Sequence, residues 1–259
     1  ADFNVALGYS ALTADTLGSH SVAIGHDALA SQNFASATNS YNTAVGSQAG
    51  VAVTTGYNNT LVGGLSGDGI TTGHSNTTLG VSSLGINTTG IYNLALGISA
   101  LQSNTTASYN TAVGSRSLEA NTTGTENTAV GFSSLDANTT GSYNVALGSY
   151  ALTTDTLGSR NVAIGRSALQ AQNFTSATSS YNTAMGYAAG AAVTTGLRNT
   201  YIGGLAGDEA TTANDNTGVG YGALSAPGTG TQNTAIGTAA LNVNTDGDNN
   251  TAVGRNALL

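Results

Sequence analysis

The stretch Asn110–Leu118 reads Asn-Thr-Ala-Val-Gly-Ser-Arg-Ser-Leu, and close variants of it occur fifteen times along the 259-residue chain. The glycine of this motif, Gly114 here, recurs with a 17-residue spacing, which is interrupted by two 21-residue spacings. A fixed period of this length is the signature of a repeat protein whose units pack on their neighbours. We therefore describe the chain as fifteen coils and number each coil from its first asparagine, as slots 1 to 17.

A longer repeat lies above the 17-residue period. The sequence that starts at Asn4 reappears from Asn144 onward, and both 21-residue spacings fall at equivalent places, as in Gln32-Asn33-Phe34 and Gln172-Asn173-Phe174. Residues 1–259 are therefore predicted to form a single repeat-array domain with an internal duplication, 4–143 and 144–259.

The slots differ in how tightly their residues are constrained. Slot 1 is asparagine in fourteen of fifteen coils, slot 4 is always Leu, Ile, Val or Met, and slot 5 is always glycine. Slots 6 and 7 accept almost any residue, so we expect them to face solvent. The structural positions of slots 1 and 5 are represented by Asn110, Gly114, Asn127, Gly131, Asn144 and Gly148.

The alternation across slots 2–4, with many β-branched residues, predicts a short strand at the start of each coil. We expect the slot-5 glycine to form a bend, a second short strand to end at leucine in slot 9, and an Asn-Thr-Thr-Gly turn such as 121–124 to return the chain. Stacked at about 4.8 Å, the coils would bury an aliphatic ladder from slots 2, 4 and 9 and align the slot-1 asparagines as an amide ladder. The predicted fold class is all-β, a parallel β-solenoid (β-roll) of fifteen 17-residue coils.

Such a coil encloses a narrow core, which favours association of identical chains. We expect the small residues of slots 3 and 8 to form flat outer columns, and these columns or the aliphatic ladder beside them to pack against other copies. Closed symmetry makes a dimer or a trimer the natural assembly for a solenoid. Because the array begins and ends inside a coil, we also expect either a piece of a longer fibre or subunits stacked end to end.

The composition excludes several functional classes. The chain has 36 Gly, 7% charged residues, no Cys, no Trp and no Lys, and its net charge is -8. Disulfides and thiolate metal sites are impossible, and no basic surface is available for nucleic acid. No run of 18 apolar residues could insert into a membrane. Every glycine-rich match follows from the coil period, so we predict no enzyme, no catalytic residues, no cofactor and no metal.

Three weaker patterns support alternatives. Glu119 and Asp136 hold slot 10 in adjacent coils, which would place them at a separation near that of a retaining glycosidase. Residues 246–249, Asp-Gly-Asp-Asn, are similar to the opening of a calcium loop but lack its distal glutamate. The three histidines fall in unrelated slots and are interpreted as surface residues: His20, His26 and His74.

Threonine recurs in slot 13 of eleven of the twelve uninterrupted linkers, including Thr54, Thr71 and Thr88. A threonine column on a flat solenoid face is typical of an ice-binding protein, which we retain as an alternative function. The neighbouring threonine lies in the next slot and not two along, so a structural role in the turn is favoured.

The motif at Asn110–Leu118 and its variant Ser-Val-Ala-Ile-Gly-His-Asp-Ala-Leu at Ser21–Leu29 resemble the head repeats of YadA-type trimeric autotransporter adhesins. They are also similar to the Asn-Thr-Ala-Val-Gly arrays of bacteriophage tail fibres. The resemblance covers all fifteen coils and implies a left-handed parallel β-roll in an intertwined homotrimer. The adhesin repeat is usually shorter than the repeat of this chain, and no neck, stalk or anchor is recognisable in this sequence.

We therefore predict a non-enzymatic structural or adhesive fibre segment outside the cell, the shaft or head of a phage tail fibre or surface adhesin. A self-stacking filament subunit is the alternative within the same class. Its partners would be copies of itself, as a trimer or stacked end to end, and a cell-surface glycan or protein receptor. Large aromatic residues in the variable slots are the candidate receptor contacts: Tyr9, Phe132, Tyr150, Tyr187 and Tyr221.

Overall fold

A computed structural model describes residues 1–226 and 228–258, and Pro227 and Leu259 lie outside the described residues. The chain is an all-β parallel β-solenoid of about fifteen turns, and the described residues contain no helix. None of them, accordingly, forms a helix that could cross a membrane. Two compact units are present, Ala1–Glu126 and Asn127–Leu259, and their border falls between the seventh and eighth coils. The duplication border at 143/144 remains a sequence prediction.

The first unit contains seven three-residue strands, one per coil, at slots 2–4. Neighbouring strands pair in parallel at identical slots, as Val5 does with Val22. A separate two-stranded pair, β2 with β4, occurs at the longer, 21-residue coil. The strands are β1 (Val5–Leu7), β2 (Gly18–Ser19), β3 (Val22–Ile24), β4 (Thr38–Asn39), β5 (Thr43–Val45), β6 (Thr60–Val62), β7 (Thr77–Leu79), β8 (Leu94–Leu96) and β9 (Thr111–Val113).

The second unit repeats this arrangement with eight strands at slots 2–4. Its additional pair, β12 with β14, again belongs to the 21-residue coil. The strands are β10 (Thr128–Val130), β11 (Val145–Leu147), β12 (Gly158–Ser159), β13 (Val162–Ile164), β14 (Thr178–Ser179), β15 (Thr183–Met185), β16 (Thr200–Ile202), β17 (Thr217–Val219), β18 (Thr234–Ile236) and β19 (Thr251–Val253).

The second strand that we predicted to end at slot 9 is wrong. In the described residues, slots 7 and 9 adopt positive φ, as in Arg116 (60°) and Leu118 (51°), so the backbone there is a winding turn. The N–H groups of this turn point alternately to the next coil and to their own. Leu101 N–H donates to the Ser117 carbonyl (3.0 Å), whereas Gln102 N–H donates to the Ser99 carbonyl (3.3 Å). Positive φ costs an ordinary residue about 1–2 kcal/mol, and these repeated hydrogen bonds offset that cost.

The predicted orientation of the strand is also wrong. Slot 3 faces the interior, where Ala112 and Ala129 are fully buried, and slots 2 and 4 face outward, where Val113 and Val130 are partly exposed. Alternation requires slot 3 to oppose slots 2 and 4, but it does not decide which side is the core. The interior of a 17-residue coil is narrow, so it takes the alanines of slots 3 and 8 and one leucine from slot 9.

A large residue in slot 3 fills the core in two of the coils that lack leucine in slot 9. Both of these coils have glycine in slot 9. A Cβ on Gly67 would lie 2.8 Å from Leu61 Cδ2, and a Cβ on Gly207 would overlap the ring of Tyr201. Tyr201 thus fills the space that a slot-9 leucine fills in other coils. Because interiors are packed as tightly as crystals, the two slots are constrained as a pair.

Glycine in slot 5 is required both by backbone conformation and by the close approach of neighbouring coils. Gly131 and Gly148 have φ of 134° and 130°, and a Cβ on Gly131 would lie 2.7 Å from the carbonyl carbon of Gly148. Residues other than glycine rarely adopt this φ. A side chain here would also clash with the backbone of the next coil. Slot 5 is therefore the corner at which one coil rests on the next.

The slot-1 asparagines form a ladder in which side chain bonds to backbone. Asn110 N–H donates to Asn93 Oδ1 (3.0 Å), and Asn110 Nδ2 donates across the coil to the Gly124 carbonyl (2.9 Å). In the second unit, Asn144 N–H donates to Asn127 Oδ1 (3.0 Å). Each buried amide thus links its own coil to its neighbour and also closes its own coil.

We expect Gly148→Ala to destabilise the protein more than Gly254→Ala. Both glycines have φ near 130°, but a Cβ on Gly148 would lie 2.6 Å from the Gly165 carbonyl carbon, whereas a Cβ on Gly254 has nothing within 4 Å. Backbone strain alone costs about 1–3 kcal/mol, and the clash adds to it only in Gly148→Ala. Chemical denaturation measures both losses. Equal losses would show that conformation, and not the close approach of coils, requires the glycine.

The Tyr201→Ala/Gly207→Leu double variant should be more stable than Tyr201→Ala alone. Removing the Tyr201 ring leaves a cavity that costs about 3–5 kcal/mol, and leucine at 207 would refill it. Leucine is compatible with the φ of 60° at Gly207, because slot-9 leucines such as Leu169 adopt 49°. A double-mutant cycle on unfolding free energy gives the coupling. Additive losses would show that slots 3 and 9 do not share one space.

Candidate functional site

The five predicted receptor contacts do not form one site. Tyr9 is 77% exposed and stacks on His26 with ring centroids 5.5 Å apart. It belongs to the first unit, whereas the other four residues belong to the second. There, Phe132 meets the half-buried Tyr150 edge to face at 5.4 Å. Tyr187 and Tyr221 are exposed at separate coils, so only Phe132 and Tyr150 come together.

Sequence reasoning missed a second aromatic column, in slot 17 and in the corresponding last residue of each 21-residue coil. This slot has positive φ, so its side chain projects from the corner just before slot 1. The signal in the sequence is a tyrosine that recurs directly before the slot-1 asparagine. The tyrosines of the column are Tyr41, Tyr92 and Tyr109 in the first unit and Tyr143 and Tyr181 in the second, and all are exposed.

In the first unit, aromatic rings at this corner pack against one another from coil to coil. His20 lies between Phe3 and Tyr41, with both centroid distances 5.1 Å. Tyr92 and Tyr109 stack at 5.4 Å. These distances are close to the strand spacing of about 4.8 Å, so the repeat itself produces the stack.

In the second unit, Arg160 occupies the place equivalent to His20. Its guanidinium carbon lies 5.1 Å from the Tyr143 ring centroid and 5.8 Å from that of Tyr181. Arg160 Nη1 donates to Ser179 Oγ (2.6 Å). Both copies of the duplication therefore place a flat nitrogen-containing group between two aromatic rings. We call residues 143, 160 and 181 the Arg160 triad.

The electrostatic surroundings of the arginines differ. Arg198, next to the triad in slot 17, forms two hydrogen bonds to Asp215 (2.6 and 2.7 Å), which hold the pKa of that carboxyl below its usual range. Arg116 pairs with Glu119 at 2.5 Å. Arg160 has no carboxylate partner among residues 1–226 and 228–258. Its charge is compensated only by the two ring faces and the Ser179 hydroxyl.

The four-residue insertion that leads to Tyr181 is held by a buried polar chain. Asp155 Oδ1 accepts from Gly158 N–H (2.9 Å) and its Oδ2 from Gln172 Nε2 (2.6 Å), and Gln172 Oε1 accepts from Asn182 Nδ2 (2.8 Å). Both neighbours of Asp155 donate, which explains an aspartate where other coils have asparagine. The first unit repeats the chain with Asp15, Gln32 and Asn42.

Residues of the alternative glycosidase and calcium sites already take part in other contacts. Glu119 is paired with Arg116, and Asp136 belongs to the other unit. Asp248 Oδ1 accepts from Thr231 N–H (2.6 Å) and Oγ1 (3.0 Å), which lowers the pKa of Asp248. The described residues contain no group of three His, Cys, Asp or Glu side chains arranged to hold a metal.

The slot-13 threonines have a structural role in the turn. Their hydroxyls donate to the slot-13 carbonyl of the next coil, as from Thr71 to Thr88 (3.0 Å) and from Thr88 to Thr105 (3.1 Å). These hydroxyls are therefore committed to the backbone. The ice-binding alternative remains an untested prediction.

A second surface is the outer face of the strands. Slots 2–4 carry no charged residue in any coil, and the slot-4 side chains are aliphatic throughout. All fifteen of these slot-4 residues are partly or fully exposed, including Leu79, Leu147 and Met185. Each unit therefore presents an uncharged, largely apolar strip along its strands.

Compared with known proteins, the sequence matches no protein-family model and no curated protein. Function is therefore inferred from the strand face and from the slot-17 column.

The free energy of unfolding should rise as the pH falls from about 7 toward about 4. Burial raises the pKa of Asp155 above its ordinary value of 3.8, and burial acts in the same way on Asp68 and Asp208. Between the unfolded and folded pKa values the folded state binds more protons, so stability is lost as pH rises through the raised values.

Thermal unfolding followed by circular dichroism at several pH values measures this trend. The Asp155→Asn variant should show a shallower increase toward acid, since one of the three groups is gone. Asp215→Asn should steepen it, because the pKa of Asp215 is lowered. Stability that falls steadily from neutral to acid pH in the unchanged protein would contradict the assignment.

Proposed function

We propose that this chain is a non-enzymatic structural segment of an extracellular fibre, the shaft or head of a phage tail fibre or surface adhesin, built from identical chains. The observation that carries the proposal is the uncharged strand face with its exposed aliphatic ladder. Parallel sheets are almost always covered on both faces, and one face here is left open. A large exposed apolar strip marks an interaction surface.

A second copy of the same chain is the partner that fits this face best. The strip is repeated at every coil, so an identical strip from another chain would match it along its length. Closed symmetry then joins the faces about a common axis, and the resemblance to YadA-type heads supports a left-handed homotrimer. Charge does not oppose the contact, because slots 2–4 carry none.

The aromatic columns support the adhesive part of the proposal. Slot-6 residues such as Tyr9 and Tyr221, and the slot-17 tyrosines, stand on the outside of the coil. Aromatic side chains with a polar tip are enriched where proteins bind partners. In a fibre, these side chains would be displayed toward a cell-surface glycan or protein receptor.

Lysine substitutions on the strand face should dissociate the assembly. We expect the unchanged chain to sediment as a multiple of its 25.4 kDa mass and Leu147→Lys/Ile164→Lys as a single chain. Burying two unpaired ammonium groups per chain at the contact costs several kcal/mol, which raises the dissociation constant at least ~100-fold.

The matched control is Thr140→Lys/Thr195→Lys, which adds the same charge at exposed slot-14 positions and should leave the mass unchanged. Circular dichroism confirms that all three proteins are folded. An unchanged chain that sediments at 25.4 kDa at every concentration would refute the proposal, and long filaments would indicate end-to-end stacking in place of a closed oligomer.

A further inference from the structure

We propose that the Arg160 triad binds the carboxylate of an acidic saccharide, such as a uronic or sialic acid residue. The inference rests on the proposed adhesive fibre and names the ligand class for one of its exposed surfaces. Its starting point is a single arginine that is held in place and has no carboxylate partner within residues 1–226 and 228–258.

Three contacts surround the guanidinium of Arg160. Its central carbon lies 5.1 Å from the Tyr143 ring centroid and 5.8 Å from that of Tyr181, and Ser179 Oγ accepts from Nη1 at 2.6 Å. Guanidinium has five N–H donors in one plane, and the described contacts use one of them. The other four donors extend in the guanidinium plane, and Arg160 stands at an exposed corner of the coil. A carboxylate approaching in that plane could accept two parallel hydrogen bonds.

Comparison of the two copies shows that contact between the coils does not require a charged residue at the centre of the triad. At the equivalent corner of the first unit, His20 lies between Phe3 and Tyr41, both at 5.1 Å. An imidazole ring therefore satisfies the stacking between coils. Arginine in the second copy supplies the same flat surface and adds a permanent charge that no described acid neutralises. The neighbouring Arg198 is the paired case in this column, because its Nε and Nη2 donate to the two carboxylate oxygens of Asp215.

The surroundings favour a sugar acid over a polyanion. The chain carries a net charge of -8 with only five arginines, so nucleic acid or a highly sulfated polymer is repelled at long range. The single arginine of the triad matches one carboxylate. The rings beside it are 48% and 54% exposed, so they offer an apolar edge and a phenol hydroxyl to a ligand with apolar and hydroxyl faces.

The surface is open, so a single contact should be weak, with a dissociation constant on the order of 1 mM. An oligomeric fibre would present several copies of the triad, and linked copies raise the overall affinity without any new contact. Such weak, repeated binding suits attachment to a glycan-covered surface.

The test titrates the full chain with methyl β-glucuronide and with methyl β-glucoside, followed by NMR of the tyrosine ring signals. We expect the glucuronide to shift the Tyr143 and Tyr181 signals and the neutral glucoside to leave them unchanged. Arg160→Gln, which keeps a planar amide able to donate to Ser179, should weaken binding at least tenfold. Arg166→Gln is the matched control, because Arg166 lies over the single ring of Tyr187 and should bind as the unchanged chain does.

A gain-of-function variant keeps the test independent of lost stability. His20→Arg places a guanidinium between Phe3 and Tyr41 in the first copy, where Asn39 replaces Ser179, so we expect additional glucuronide binding that shifts the Tyr41 ring signals. Acetate that binds as tightly as the glucuronide would reduce the triad to an anion site and overturn the saccharide assignment. Tighter binding of a sulfated oligosaccharide would overturn it in favour of a polyanion, and unchanged binding by Arg160→Gln would place the ligand elsewhere.

These outcomes are distinct from failure of the fibre proposal. An oligomer that binds no glucuronide refutes the triad alone, whereas a single 25.4 kDa chain that binds it refutes the fibre alone. The Leu147→Lys/Ile164→Lys variant supplies the comparison, because its substitutions lie on the strand face and away from slot 17.

Discussion

Fourteen of the fifteen coils depend on the carboxamide of a slot-1 asparagine. In Asn76, the oxygen accepts the backbone N–H of Asn93 (3.0 Å), and the nitrogen donates to the carbonyl of Gly90 in its own coil (2.9 Å). The two bonds run in different directions, one along the stack and one across the coil. Because the group is fully buried, an unmade bond would carry the full cost of desolvation. One side chain therefore both closes its own coil and fixes the position of that coil on its neighbour.

Much of the architecture could be predicted from the sequence because the period is a property of the whole chain. The parallel solenoid, its number of coils and the first strand follow from fifteen repeats with invariant glycine, and the structure confirms them. The second strand and the orientation of slots 2–4 were predicted incorrectly. Alternation alone does not distinguish inside from outside, and leucine in slot 9 carries no sequence signal for a φ of about 50°. Only the width of the closed coil determines that the alanines of slot 3 face the interior and the valines of slot 4 face outward.

The candidate surfaces were predicted less completely than the fold. Slot 6 was recognised by its variability, and Tyr9 and Tyr187 are exposed there. Slot 17 was not among the predicted contacts, because only slots 6 and 7 were identified by their variability. The central position of the triad differs between the copies, His20 in one and Arg160 in the other. Sequence comparison shows that difference, but the two flanking rings that give it meaning come together only when the coils are stacked.

The buried hydrogen-bonded side chains Asp155, Gln172 and Asn182 help to set the register in which the coils stack. Coils that resemble one another so closely could stack with one repeat skipped, and most of the ladder would still form. A skipped repeat would place Asp155 opposite a coil that lacks Gln172 and leave a carboxylate buried without its donor, at a cost of several kcal/mol. The irregular coils thus penalise slipped structures that the regular coils tolerate. In a protein whose coils are nearly identical, the two irregular coils therefore favour the correct stacking register during folding.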